Sequence, residues 1–124
     1  MERQAMKNDP IVLATASEGT IQIAREMRAN TIRCAHSYSI AVMEDFSCGL
    51  FAANGELLAQ GEDHPGHVIP SQWSIQCSLE DLGIPQPGDL ILHNDSYRGG
   101  AHLNDVLMFL PVYRNSKLIC YTAI

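Results

Sequence analysis

The stretch L-I-L-H-N-D-S-Y-R-G-G-A-H-L-N-D-V-L-M-F-L-P-V, from Leu90 to Val112, constrains the fold more than any other part of the chain. It sets Asp95, Tyr97, His102 and Asp105 between two apolar runs, Leu90 to His93 and Val106 to Tyr113, that read as strands. Two accounts of the linker stay open. Asn94, Asp95 and the Gly99, Gly100 pair are turn formers and can simply join the strands, with His102 hydrogen-bonded nearby. Alternatively, a loop stiffened by its own polar groups holds ligands for a metal or a polar substrate at the mouth of a sheet. Pro111 places the second strand at an edge or ends it there.

The other elements follow from local pattern. Residues 1–9 read as a flexible terminus, which Pro10 closes by favouring an extended or turn start. From Ile11 to Thr31 apolar and small residues recur in a mostly helical rhythm that Gly19 interrupts, giving one helix or two joined near Gly19. Asn54-Gly55 predicts a hairpin over Cys48 to Gln60, because both residues tolerate the positive φ of a type I′ turn. A loop from Gly61 to Gly66 presents His64 and His67, and a second helix runs from about Ser71 to Leu82, stopped by Gly83. Arg114 to Lys117 forms a turn. Leu118 to Ile124 is β-prone, and with no turn or polar tail after it the chain reads as cut there. The fold class is α+β: mixed, with an N-terminal helix, β-hairpin elements and a second helix, and an incomplete part of a larger fold.

With 124 residues the default is one domain. The net charge of −6, without any Lys/Arg stripe, argues against nucleic acid as a partner. Charged residues make up 18% of the chain against about 25% in an average domain, which hints at surface covered by a partner or by further sequence. No apolar run approaches the length of a membrane span and no signal-peptide pattern is present, so no membrane role is expected and the cytoplasm is the default compartment. Cys34, Cys48, Cys77 and Cys120 are far apart and in apolar company. They read as reduced core residues, with a disulfide pair or a nucleophile as the alternatives.

Two pairs could carry chemistry. His64 and His67, separated by Pro65 and Gly66, can chelate zinc or manganese if a third donor arrives, or hydrogen-bond a substrate, or serve only structure. His102 and Asp105 share that spacing and follow two glycines that allow a tight bend or close approach by a ligand. With Asp95 they could bind a divalent ion, or an aspartate could orient His102 as a base. Asp95 could equally cap a turn, and Arg98 could clamp a substrate carboxylate or face solvent. Asp45 and Ser47 read most simply as turn or cap groups, and Ser47 lacks a nucleophile elbow. No glycine loop for phosphate is present, which puts any ATP chemistry on another chain or domain.

Four segments together resemble the N-terminal portion of the hydantoinase B / 5-oxoprolinase family, which includes the large subunits of acetone and acetophenone carboxylases. They are E-D-F-S-C-G-L-F (Glu44 to Phe51), A-N-G-E-L-L-A-Q-G (Ala53 to Gly61), H-P-G-H (His64 to His67) and N-D-S-Y-R-G-G-A-H-L-N-D-V (Asn94 to Val106). The last is the specific one. The family commonly has proline where this chain has Ser96 and Asn104. The resemblance makes residues 10–124 the N-terminal part of a hydantoinase B-like domain, truncated at its C-terminal end. It implies ATP-dependent opening of hydantoins, 5-oxoproline or related cyclic amides, or ATP-dependent ketone carboxylation. It also implies a hydantoinase A-like subunit or domain that binds ATP, the C-terminal remainder of the same protein, and a divalent metal, manganese or zinc, in some members. Carried onto this chain, Asp95 and Asp105 are the expected metal ligands, and His102, His67 and His64 the expected catalytic groups. Tyr97, Arg98, Gly99 and Gly100 are expected at the substrate, and Asn54 and Gly55 in a structural turn. A family histidine-rich motif falls beyond Ile124, so this segment is expected to hold part of a site and to be inactive alone. The rival is a non-catalytic assembly module. An enzyme needs Asp95, His102 and Asp105 convergent on a cleft, whereas a module can leave them splayed.

Overall fold

The computed structural model describes residues 9–124, so the expected flexible terminus, Asp9 apart, lies outside the described residues. Helix α1 spans Pro10–Cys34 without a break. Asp9 starts it: its side chain accepts from the Ile11 N–H at 2.9 Å, and Pro10 occupies the first turn, where a missing N–H costs nothing. Pro10 thus begins the helix rather than an extended segment. A Cβ at Gly19 would meet no atom within 4 Å, so that glycine costs only its intrinsic helix penalty of about 1 kcal/mol and one helix forms, not two. The short helix α2 (Tyr38–Ala41) follows.

Strands β1 (Gly49–Ala52), β2 (Leu57–Gln60), β3 (Ile91–His93), β4 (Leu107–Arg114) and β5 (Lys117–Ala123) form one antiparallel sheet in the order β2-β1-β5-β4-β3. The expected α+β class, antiparallel hairpins against two helices, is the observed one. The final β-prone run is the central strand. It is paired on both sides, and over its second half both faces are covered, so Cys120, Tyr121 and Ala123 are buried.

Helix α3 (Pro65–Leu82) crosses one face from β2 at one edge to β3 at the other. Val68, Ile75 and Leu79 bring it onto Phe51, Phe109, Tyr121 and Ala123, and the Phe109 and Tyr121 rings meet edge to face at 5.6 Å. Helix α1 lies on the opposite face over β1 and β2, where Ile21 and Ala24 pack on Leu50, Ala59 and Cys120. The helix expected from Ser71 therefore starts six residues earlier. Pro65 fits its first turn, and Pro70 forgoes only the bond to the carbonyl of Gly66, an exposed residue that water can reach.

Pro111 sits inside β4 for a reason that alternation supplies. Met108 and Ile124 exchange both backbone bonds, so every second residue from Met108 faces β5 and Pro111 faces the β3 side. There β3 reaches only as far as Phe109, paired with Ile91, so no acceptor waits for the missing N–H.

The Asn54-Gly55 hairpin forms, but not through a type I′ turn. Gly55 has φ +84°, whereas Asn54 is not among the residues with positive φ, and the Ala52 carbonyl accepts from Gly55 N–H at 2.8 Å. This is a three-residue connection closed by a left-handed glycine. The pair of positive φ values that marks type I′ occurs instead at Asn115 (50°) and Ser116 (60°), between β4 and β5. Gly55→Val is expected to cost about 1–2 kcal/mol from φ alone, plus a clash. Its Cβ would lie 2.8 Å from Gln76 Cγ. An unchanged urea midpoint would contradict this.

Candidate functional site

His67 lies in the first turn of α3, not in a loop as its Pro-Gly neighbours suggested, and the preceding segment is fastened from behind. The Asp63 side chain, fully buried, accepts from Cys48 N–H at 2.8 Å and pairs with Arg28 at 2.7 Å. Arg28 also pairs with Glu44 and stands 5.0 Å from the Phe46 ring centroid. Ser47 Oγ donates to the His64 carbonyl at 3.2 Å, a tertiary bond rather than the local turn or cap expected of it. Sequence reasoning missed Arg28 and Asp63. The one local signal was an aspartate directly before the H-P-G-H segment.

Residues 94–106 supply the other half of the site. Asp95 accepts from Tyr97 N–H at 2.9 Å and caps a single 3₁₀ turn, Ser96–Arg98. Gly99 follows at φ +107°, where a Cβ would run into the Ser74 backbone on α3 and lie 2.9 Å from the Trp73 carbonyl carbon. This is the close approach that the glycine pair suggested, with a helix rather than a ligand as the neighbour. Asp105 Oδ2 then accepts from the His102 backbone N–H at 3.0 Å and lies 3.1 Å from His102 Nδ1. The carboxylate places the ring proton on Nδ1 and leaves Nε2 with a free lone pair.

These elements line an open cavity of about 980 Å³. Its polar wall includes His67, Ser71, Ser74, His102 and Asp105, and its apolar surface includes Ile40, Phe46, Leu92, Met108 and Ile124. The His67 and His102 rings stand 5.7 Å apart and nearly perpendicular, and donor atoms of His67, His102 and Asp105 all lie within 4.8 Å of one another. Two imidazoles and a carboxylate suit zinc or manganese, and three protein ligands with an open position is the catalytic pattern. Bonds of about 2.0–2.2 Å to one ion need donors about 3.4 Å apart, so binding would draw these three groups closer than the 4.8 Å within which they now lie.

The structure sorts the sequence-derived residues. It brings His102, Asp105 and His67 together, and Gly99 and Gly100 line the same cavity. Asp95 stands outside this cluster, its Oδ1 accepting from the Tyr97 N–H, so of the expected Asp95/Asp105 pair Asp105 alone lies with the two histidines. His64 is the residue before α3; its ring is 5.8 Å from that of His67, but it neither joins the cluster nor lines the cavity. Tyr97 is 93% exposed, and Arg98 is engaged by Asp81 and, at 3.9 Å, by Glu80. Neither lines the cavity. All four cysteines are free, and burial, aided by Asp63, pushes the Cys48 thiol up to about 11, which keeps it protonated and unreactive at neutral pH. Asp95→Ala is therefore expected to cost about 1 kcal/mol of stability through the lost cap. Its metal affinity should stay within about threefold of wild type, and a melt combined with a Mn²⁺ titration checks both.

Two histidines and an aspartate thus converge on an open cavity at the margin of an antiparallel sheet with a helix on each face. The chain belongs to the hydantoinase B/oxoprolinase family, whose model matches residues 9–124. It is 34% identical over 116 residues to a 5-oxoprolinase of Dictyostelium discoideum, covering 93% of this chain and 9% of that protein. It is 30% identical over 115 residues to caprolactamase subunit beta of Pseudomonas jessenii, covering 92% of this chain and 20% of the relative. The crystal structure of the ATP-dependent caprolactamase from that organism superposes with a TM-score of 0.74 at 30% identity, over 93% of this chain and 20% of that one. A nucleotide-free acetone carboxylase shares the fold, with a TM-score of 0.83 at 20% identity over 97% of this chain and 16% of that one. The chain thus spans a tenth to a fifth of the length of these relatives. Among the described residues no helix is long and apolar enough to cross a membrane.

Proposed function

We propose that this chain supplies part of the active site of an ATP-dependent cyclic-amide hydrolase of the hydantoin or 5-oxoproline type. The observation that carries the reading is the convergence of His67, His102 and Asp105 on one cavity wall; an assembly module has no need of it. The relatives at 30% identity or more that are named above, a 5-oxoprolinase and a caprolactamase, support a lactam-type amide as the substrate class. The likeness to the acetone carboxylase is one of fold, so ketone carboxylation is the second outcome to be assayed.

His67, His102 and Asp105 would hold a divalent zinc or manganese ion, which when bound polarises the ring carbonyl as a Lewis acid. Asp105 orients His102, whose Nε2 is then free to take a ligand bond or a proton. Ile40, Leu92 and Met108 would present apolar surface to the methylenes of a ring. ATP is assigned to a hydantoinase A-like partner subunit or domain, in keeping with a relative that is itself a subunit.

The test is ATP-dependent turnover by the protein copurified with that partner, on hydantoin, 5-oxoproline, caprolactam, and acetone with bicarbonate. Ring opening of one cyclic amide, lost in His102→Ala, is the expected result. Carboxylation of acetone, or turnover that His102→Ala leaves untouched, would overturn the assignment.

A further inference from the structure

We propose that His93 is a positioning residue for the His67, His102 and Asp105 cluster, holding the loop that carries two of its members in register against the helix that carries the third. The inference rests on the metal reading of that cluster. His67, Ser71, Ser74 and Ser78 fall at i, i+4, i+7 and i+11 of α3, a single helix face, and the first three of them line the cavity. Residues 94–105 run along this face. Gly99 packs on Ser74, and His102 arrives beside His67.

His93, the last residue of β3, ties the start of that path to the helix. Its Nδ1 lies 3.1 Å from Ser78 Oγ and its Nε2 lies 3.2 Å from the Asp95 carbonyl. A carbonyl only accepts, so the ring carries a proton on Nε2, and the single hydroxyl proton of Ser78 is shared between two acceptors, Nδ1 at 3.1 Å and the Ser74 carbonyl at 2.8 Å. Ser78 is 6% exposed. One imidazole therefore joins strand, helix and loop at the point where the loop begins. With Gly99 as the second fixed point, the approach of His102 and Asp105 to His67 is set before any ion binds.

The experiment compares His93→Phe, which keeps a ring and removes both bonds, with His93→Gln, which restores a donor, and with Ser78→Ala. Two readouts are used on the 124-residue protein: amide exchange of the metal-free form, and Mn²⁺ affinity by equilibrium titration. In His93→Phe the amides of residues 96–105 are expected to exchange at least about tenfold faster while β4 and β5 keep their protection. Mn²⁺ binding is expected to weaken about 10- to 100-fold, as when an outer-shell partner is lost, and His93→Gln should recover most of it. Wild-type exchange and affinity in a folded His93→Phe would overturn the proposal, as would acceleration spread equally over β4 and β5. If His93→Phe fails to fold, the smaller change Ser78→Ala decides by the same criteria. Wild-type protein that binds no Mn²⁺ would sink the metal reading alone, and loosening confined to residues 96–105 would still support the positioning role.

Discussion

His102→Ala is expected to weaken Mn²⁺ or Zn²⁺ binding by at least about 100-fold, about 2.7 kcal/mol, while the metal-free protein melts as the wild type does. The imidazole is one of three donors within 4.8 Å, and its loss leaves His67 and Asp105 too few to hold an ion against water. The fold should not notice, because the His102 side chain is 68% exposed and surface changes of this kind usually stay within about 0.5 kcal/mol. Equilibrium titration with a parallel thermal melt separates the two effects. Equal affinity in mutant and wild type would remove His102 from the site.

The second large effect lies behind the site. Arg28→Ala is expected to destabilise the protein by about 3–5 kcal/mol, since it strands a buried carboxylate. Asp63 is fully buried, and after the substitution only the Cys48 N–H would face its charge. Replacing both members, Arg28→Met with Asp63→Asn, should recover much of the loss because neither charge then needs compensation. A urea-based double-mutant cycle measures the coupling; additive losses would mean that the pair is not coupled. Residues 61–64 lead directly into α3, so Arg28→Ala should also loosen His67, which faster amide exchange at 64–68 would report.

Much of the fold could be read from local pattern because the local and tertiary preferences agree. Asn54-Gly55 gave the hairpin, Gly83 the end of α3, and the run from Leu118 a strand. The errors occurred where tertiary context decides. Pro70 and Gly66 argue locally against a helix before Ser71, yet Val68 is needed in the core with Ile75, and that burial carries the helix back to Pro65. Gly19 looked like a break only because nothing in a sequence says that its surroundings are open.

The site divides in the same way. His102 and Asp105 are legible because their bond closes over three residues, so spacing suffices. Asp95 kept two readings open, because an aspartate in a motif looks the same whether its oxygens face an ion or the backbone N–H two residues on. His67 reaches His102 across 34 intervening positions, a contact no local pattern encodes, and only its place in the H-P-G-H segment drew attention to it. The Arg28 and Asp63 pair and the His93 bridge stayed invisible for the same reason: each joins elements far apart in sequence.

The most direct test of the central claim is a crystal of the protein grown with Mn²⁺ and measured at the manganese absorption edge. An anomalous peak bonded to His67, His102 and Asp105 at about 2.0–2.2 Å is the predicted result. A peak at Asp95, or no ordered ion at these three side chains in crystals grown with saturating Mn²⁺, would contradict it.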